Sequence, residues 1–267
     1  MARGPMISTL LRVAYDGGGF HGFARQPGLR TVQGELEAAL QAIYRLPVLT
    51  RGASRTDAGV HALGQVIAFD PPFAIPDAGL RRALAGKLPP DLVARDVWGE
   101  AGDDGQPVQP RFANAGKHYR YRIHLAPVAD PLTRRYVWPL ARDVDVAAMR
   151  RAAAAFVGEH DFAAFRAADC QATTTIRRVT AVEITSHPLV HPLAAWPDAC
   201  ELHVDVHGDA FLKRMVRIMV GTLVEVGWGN RLPDGIAPLL RGSERHLAGR
   251  TAPAEGLVLV EVRWPGR

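Results

Sequence analysis

The chain has 267 residues, 48% hydrophobic and 22% charged, an ordinary globular mix with room for one large core or two medium ones. Its net charge of +5 favours a polyanionic partner without establishing one. Two cysteines, Cys170 and Cys200, stand outside any C-x-x-C pair; they argue against a disulfide framework or a zinc site and predict a reducing, cytoplasmic setting.

The opening "MARGPMISTLLRV" has too short an apolar patch for a secretory leader, and no later apolar run has the length of a membrane span. "STLLRVAYDG" reads as a strand ending in a turn. In "TVQGELEAALQAIYRL" the apolar residues Val32, Leu36, Ala39, Leu40 and Ile43 recur at helical spacing, with Thr31 as N-cap and Glu35 at the positive end of the helix dipole. "PVLTRG" and "GQVIAFD" predict strands, "PDAGLRRALAGKLP" a helix with Leu80, Leu84 and Leu88 four apart, and "DLVARDVW" a strand. The order is β-α-β-β-α-β, the split βαβ or ferredoxin-like pattern. "GEAGDDGQPVQP", rich in Gly, Pro and Asp, reads as a connector.

The second half repeats the order. "GKHYRYRIHLA" alternates as a strand, "DVAAMRRAAAAFVGEH" is helical, and "TIRRVTAVEITSH" and "CELHVDVHGD" are strands, the latter with Leu202, Val204 and Val206 on one face. "AFLKRMVRIMVGTLVEVGW" is helical and "GLVLVEVRW" is a closing strand; "FDPPFAI", "HPLVHPLAAWPD" and "PLLRGSERHLAGRTAPAEG" read as loops. The predicted fold is therefore α+β: two ferredoxin-like domains, residues 1–104 and 105–267, with antiparallel sheets and a cleft between them that would suit an active site.

The stretch with the most chemistry is "RGASRTDAGVHALGQV", residues 51–66. It gathers Arg55, Thr56, Asp57 and His61 between Gly52 and Gly59, which permit sharp turns. Read alone, Asp57 caps a turn and pairs with Arg55 on the surface. A metal reading through Asp57 and His61 lacks a second carboxylate at ligand spacing. His203 and His207 share one side of an alternating strand, without a catalytic acid beside them, and read as ordinary strand histidines.

The string "RTDAGVHA" followed by "GQV" resembles the active-site motif of the TruA type of tRNA pseudouridine synthases. The likeness extends through "YDGGGFHGFARQ", "RTVQGELEAAL", "RFANAGKHYRYRI", "HDFAAFRAADC" and "FLKRMVRIMVGTLVEVG". It departs at Phe23, where Trp is common, and at Ser54, where Gly is common; Ser54 could alter the turn. The resemblance implies that Asp57 is catalytic, that Tyr119 stacks on the target base (Tyr121, two residues on, shares its strand face), and that Arg217 pairs with Asp57. Arg55 is then left to contact RNA. It implies no cofactor and no metal, a homodimer as the working form, and tRNA as partner, modified at uridines 38, 39 and 40 of the anticodon stem-loop. A non-catalytic RNA-binding protein of the same fold and a metal-dependent hydrolase are the competing classes.

Overall fold

The structure is a computed structural model describing residues 7–189 and 199–267, with Asp104 described by its main chain only. The chain divides into two compact units, Met1–Ala115 together with Leu259–Arg267, and Gly116–Val258. The leader reading falls partly, and the loop read over 187–198 mostly, outside the described residues.

The first unit contains β1 (Ile7–Tyr15), α1 (Val32–Tyr44), β2 (Thr50–Gly52), β3 (His61–Phe69), α2 (Asp77–Ala85), β4 (Leu92–Ala101) and a single turn, α3 (Pro110–Ala113). β1 pairs antiparallel with both β3 and β4, and β2 pairs antiparallel with β3, giving the order β4-β1-β3-β2. The expected helix spacing holds in α1, which buries Val32, Leu36, Ala39, Leu40 and Tyr44. Thr31 Oγ1 accepts from Gly34 N at 3.2 Å, the cap its residue type predicts. In α2, Leu80 and Leu84 are buried, but Leu88 lies past the helix end at Ala85.

Residues 105–115 belong with this first unit rather than with the second. Ser8 Oγ accepts from Val108 N at 3.0 Å and donates to Asp70 at 2.6 Å, while Arg51 Nε donates to Val108 O at 3.0 Å. Arg51 also clamps Asp70 through two 2.8 Å bonds. Gly and Pro content marks the segment as irregular, yet irregular chain can pack firmly when its backbone groups find partners. Leu259–Arg267 returns to the same unit: Trp264 stands edge-on to Trp98 with centroids 6.1 Å apart, and its Nε1 donates to Glu100 at 2.6 Å.

The second unit contains β5 (Lys117–Leu125), β6 (Trp138–Leu140), α4 (Val146–Ala153), β7 (Gly158–Asp161), β8 (Ile176–Pro188), β9 (Cys200–Gly208) and α5 (Met215–Gly227). β10 (Leu257–Val262) then carries the chain back across the division. β5, β9, β8 and β7 pair antiparallel in that order, but β6 runs parallel to β5, so this sheet is not wholly antiparallel. The predicted helix over 145–160 stops early: Ala154–Phe156 tightens into a 3₁₀ turn and Gly158 takes φ 122° before β7 begins. A left-handed glycine ends a helix at little cost, and the alanines upstream carry no signal for where it stops.

α5 is buried almost all round, Arg217 and Glu225 being its half-exposed residues. Such a helix is hydrophobic on every face because it is packed on every face. The predicted helix over 210–228 starts later than its sequence span, leaving Lys213 and Arg214 before its first turn. A Cβ on Gly221 would sit 1.9 Å from the Arg250 carbonyl oxygen, so only glycine lets that segment approach.

Candidate active site

Asp57 occupies the first position of a tight turn between β2 and β3. Its carbonyl accepts from Val60 N at 3.2 Å, and Gly59 takes φ 80°, the left-handed value a type II turn requires at its third residue. Gly52 lies in β2 without a positive φ; it is glycine because a Cβ there would meet the Phe23 ring at 2.4 Å. His61 already belongs to β3, so the strand starts earlier than its apolar run suggests.

Both flanks of the turn are fixed. On one side Gln65, fully buried, uses its amide twice: Oε1 accepts from Ser54 N at 3.1 Å and Nε2 donates to Ser54 O at 2.6 Å. These bonds go to main chain, and Ser54 has no positive φ. A serine side chain is therefore accommodated here without strain on the turn. On the other side lies the loop 16–31. Phe23 N donates to Thr56 O at 3.1 Å, and Gly17 N donates to His61 Nδ1 at 3.0 Å. Gly17 is forced, since a Cβ would lie 2.1 Å from Val60 O. Asp16 Oδ1 approaches His61 Nδ1 at 3.1 Å.

The loop is itself anchored. Arg30 makes two 2.8 Å bonds to Asp91 and lies 4.2 Å from the Phe20 ring centroid. Val32 N and Gln33 N, orphan donors at the start of α1, reach Gly22 O and Phe23 O at 3.2 and 2.9 Å. Phe20, 3% exposed, packs edge-on against Tyr15 and is a packing residue. Asp57 is half-exposed on this frame, while Arg55 is exposed and forms no ion pair among the described residues. The surface Arg55–Asp57 pair suggested by their proximity in sequence is not formed.

Tyr119 and Arg217 belong to the second unit. Tyr119 faces Val206 across β5 and β9 and stands edge-on to Phe211 at 5.3 Å. Both rings are buried, Tyr119 at 5% and Tyr121 at 0% exposed; Tyr121 points to the same side, and its hydroxyl donates to Pro253 O at 2.8 Å. A Cβ on Gly256 would strike that ring at 2.6 Å. Burial pushes the Tyr121 hydroxyl pKa up, with the nearby Arg217 charge opposing the shift. Tyr121 is thus a packing residue. Arg217 Nε donates to Ala252 O at 2.8 Å, and Ala252 N donates back to Arg217 O at 3.0 Å. The segment 250–253 therefore orients both Arg217 and Tyr121. Arg214, at the start of α5, takes φ 61°, one of two non-glycine residues with positive φ among those described.

The histidines on β9 serve a different arrangement. Glu201 accepts from Arg122 at 2.5 and 2.9 Å, from His124 at 2.7 Å and from His203 at 2.6 Å. Asp205 accepts from His118 and, at 2.9 Å, from Arg120. His207 stacks on His118 at 4.1 Å. Burial alone would raise both carboxyls, but these donors outweigh it, holding Glu201 well below the usual range and Asp205 at about 2. Every oxygen is engaged with a protein cation, which defines a structural network. No group of three or more His, Cys, Asp or Glu among the described residues is arranged to hold a metal.

A partly exposed carboxylate on an immobilised turn, with an exposed Arg two residues before it, is equipped for nucleophilic or base chemistry on a bound substrate. Known proteins give that chemistry a class. A family model described as tRNA pseudouridine synthase matches residues 12–102 and 152–265, which include Arg55, Asp57 and Arg217 but not Tyr119. The chain is 45% identical to a tRNA pseudouridine synthase A of Geobacter sulfurreducens over 97% of its own length and 100% of that protein. It is 44% identical to the Citrifermentans bemidjiense enzyme of the same name over 96% and 97%, and 43% identical to that of Myxococcus xanthus over 94% and 90%. This chain belongs to the tRNA pseudouridine synthase family and is an isomerase. No helix among the described residues is long and apolar enough to cross a membrane.

Proposed function

We propose that the chain converts uridine to pseudouridine in tRNA, at positions 38, 39 and 40 of the anticodon stem-loop, with Asp57 as its catalytic carboxylate. The observation that carries this reading is the rigid "RTDAGVHA" turn, which presents Asp57 half-exposed on a chain of this family. The reaction breaks the N1–C1′ bond, turns the base and joins C5 to C1′; the C5 proton is lost and N1 gains one. Atoms and oxidation state are conserved overall, so the chemistry calls for no metal and no redox cofactor. An ionised carboxylate serves it by capturing C1′, by adding to C6 or by removing a sugar proton.

In this proposal Tyr119 offers a π-face to the displaced base, as aromatic residues do for flipped nucleotides. Arg55 and Arg217 bind the RNA. Both units build on the split βαβ order, and the working form is a cytoplasmic homodimer. The test is to incubate an unmodified tRNA transcript with the purified protein and map pseudouridine at single-nucleotide resolution. Conversion confined to 38, 39 and 40 is the expected result. Conversion elsewhere would overturn the site assignment, and tight binding with no conversion would favour a non-catalytic RNA-binding protein.

A further inference from the structure

The residue immediately before Asp57 is held from two directions. Thr56 is 7% exposed, and its Oγ1 lies 2.8 Å from the hydroxyl of Tyr15, itself 5% exposed. Its carbonyl accepts from Phe23 N at 3.1 Å. Gly22 approaches so closely that a Cβ there would lie 3.0 Å from the same oxygen and 3.4 Å from the Asp57 carbonyl carbon. The peptide after Asp57 is fixed in turn by the bond from Val60 N to Asp57 O. With the planes on both sides anchored, the direction of the Asp57 Cα–Cβ bond is set.

Tyr15 is well suited to this. It ends β1, where it pairs with Ala62 and Leu92, and its ring stands edge-on to Phe20 at 6.3 Å. The strand carries the phenol to Thr56, and the ring packing holds it there. A Tyr–Thr pair is neutral, so it fixes the main chain beside the acid without adding a charge that would compete for the carboxylate.

We propose that Tyr15 is a positioning residue for Asp57, acting through the hydroxyl of Thr56. The proposal rests on Asp57 being the catalytic carboxylate. A misplacement of about 1 Å costs about a hundredfold in rate when a reacting group is held for attack, and a loosened turn would cost part of that.

The test compares Tyr15→Phe, Thr56→Val, Thr56→Ser, the Tyr15→Phe/Thr56→Val double variant and Asp57→Asn, each by single-turnover rate, tRNA Kd and Tm. Tyr15→Phe and Thr56→Val should each slow the chemical step by about tenfold while leaving Kd within about twofold. Thr56→Ser, which restores the hydroxyl, should regain most of the rate. The double variant should be no slower than the slower single, because both remove one bond. The Ser and Val variants differ at a single site and give the answer even if the phenol is needed for folding. Wild-type rate in Tyr15→Phe, equal loss in Thr56→Ser and Thr56→Val, multiplicative losses in the double variant, or a fall in affinity matching the fall in rate would each overturn the proposal. An active Asp57→Asn would instead remove the reading on which it rests.

Discussion

The Asp57 turn and the polar face of the second unit's sheet both place acids among bases, yet they are built in opposite ways. On the sheet face, Glu201 and Asp205 commit their oxygens to Arg122, His124, His203, His118 and Arg120. Around Asp57, the framing bonds run to main chain and neutral side chains: the Gln65 amide, the Tyr15 and Thr56 hydroxyls, and the carbonyls of Thr56 and Asp57. The difference separates two uses of a carboxylate. One ties neighbouring strands together; the other stands on a turn whose main chain is anchored on both sides.

The comparison breaks first if Asp57 can be neutralised without consequence. Asp57→Asn keeps size and turn preference, so Tm and tRNA affinity should stay near wild type while turnover falls by at least about a thousandfold. Pseudouridine yield, Kd and Tm measured on this one variant decide it; an active, folded Asn variant would show that the turn is merely capped.

The reverse result is expected on the sheet. Glu201→Ala leaves Arg122, His124 and His203 without their shared partner, which should cost about 3 kcal/mol and lower Tm by about 6–12 °C. Single-turnover rate at a permissive temperature should stay within about threefold of wild type. A large rate loss at unchanged Tm would place Glu201 in the catalytic machinery and erase the distinction.

Tyr119 and Tyr121 sharpen the same contrast within one strand. Tyr121→Phe strands the Pro253 carbonyl and should cost about 1–2 kcal/mol of stability, with little effect on rate. Tyr119→Phe should leave both nearly intact, whereas Tyr119→Ala should slow the reaction by removing the stacking face. Equal activity of Tyr119→Ala and wild type would return Tyr119 to packing.

The smallest effect is in acid. Asp205 has its pKa depressed on folding, so its pairing contributes fully above the ordinary carboxyl value of about 3.9. That contribution is lost as the pH falls towards about 2, where the folded group takes its proton. Glu201 acts in the same sense. Tm should drop more steeply below pH 4 in the wild type than in Asp205→Asn; parallel curves would mean the sheet network does not carry acid stability.

Much of this was legible in sequence because local chemistry and tertiary demand agreed. Thr31 caps α1, Gly59 takes the left-handed turn position, and Leu202, Val204 and Val206 share a buried face. Reading failed where a residue's reason is a distant partner. Gly52 yields to Phe23, Gly17 to Val60, and Val108 is captured by Ser8 a hundred positions earlier. Tyr15 looks like any strand-end aromatic until its hydroxyl is seen beside Thr56. Alternation marked His203 and His207 as strand residues, but not that His203 bonds Glu201 and His207 stacks on His118.

The return of Leu259–Arg267 to the first unit has a consequence for synthesis. The second unit is an uninterrupted stretch, whereas the first is completed by residues translated after it. At about 5–20 residues per second, on the order of ten seconds separates Ala115 from Leu259 leaving the ribosome. During that interval Trp98 and Glu100 lack Trp264, and the unit bearing Asp57 waits unfinished while its neighbour can already fold. Released chains that end at Val258 should accordingly be cut by protease within residues 7–115 and resist it within 116–189 and 199–258, and chains that run on to Arg267 should be protected in all three stretches. Order of folding is thus written into the topology: the turn that carries Asp57 gains its full support last.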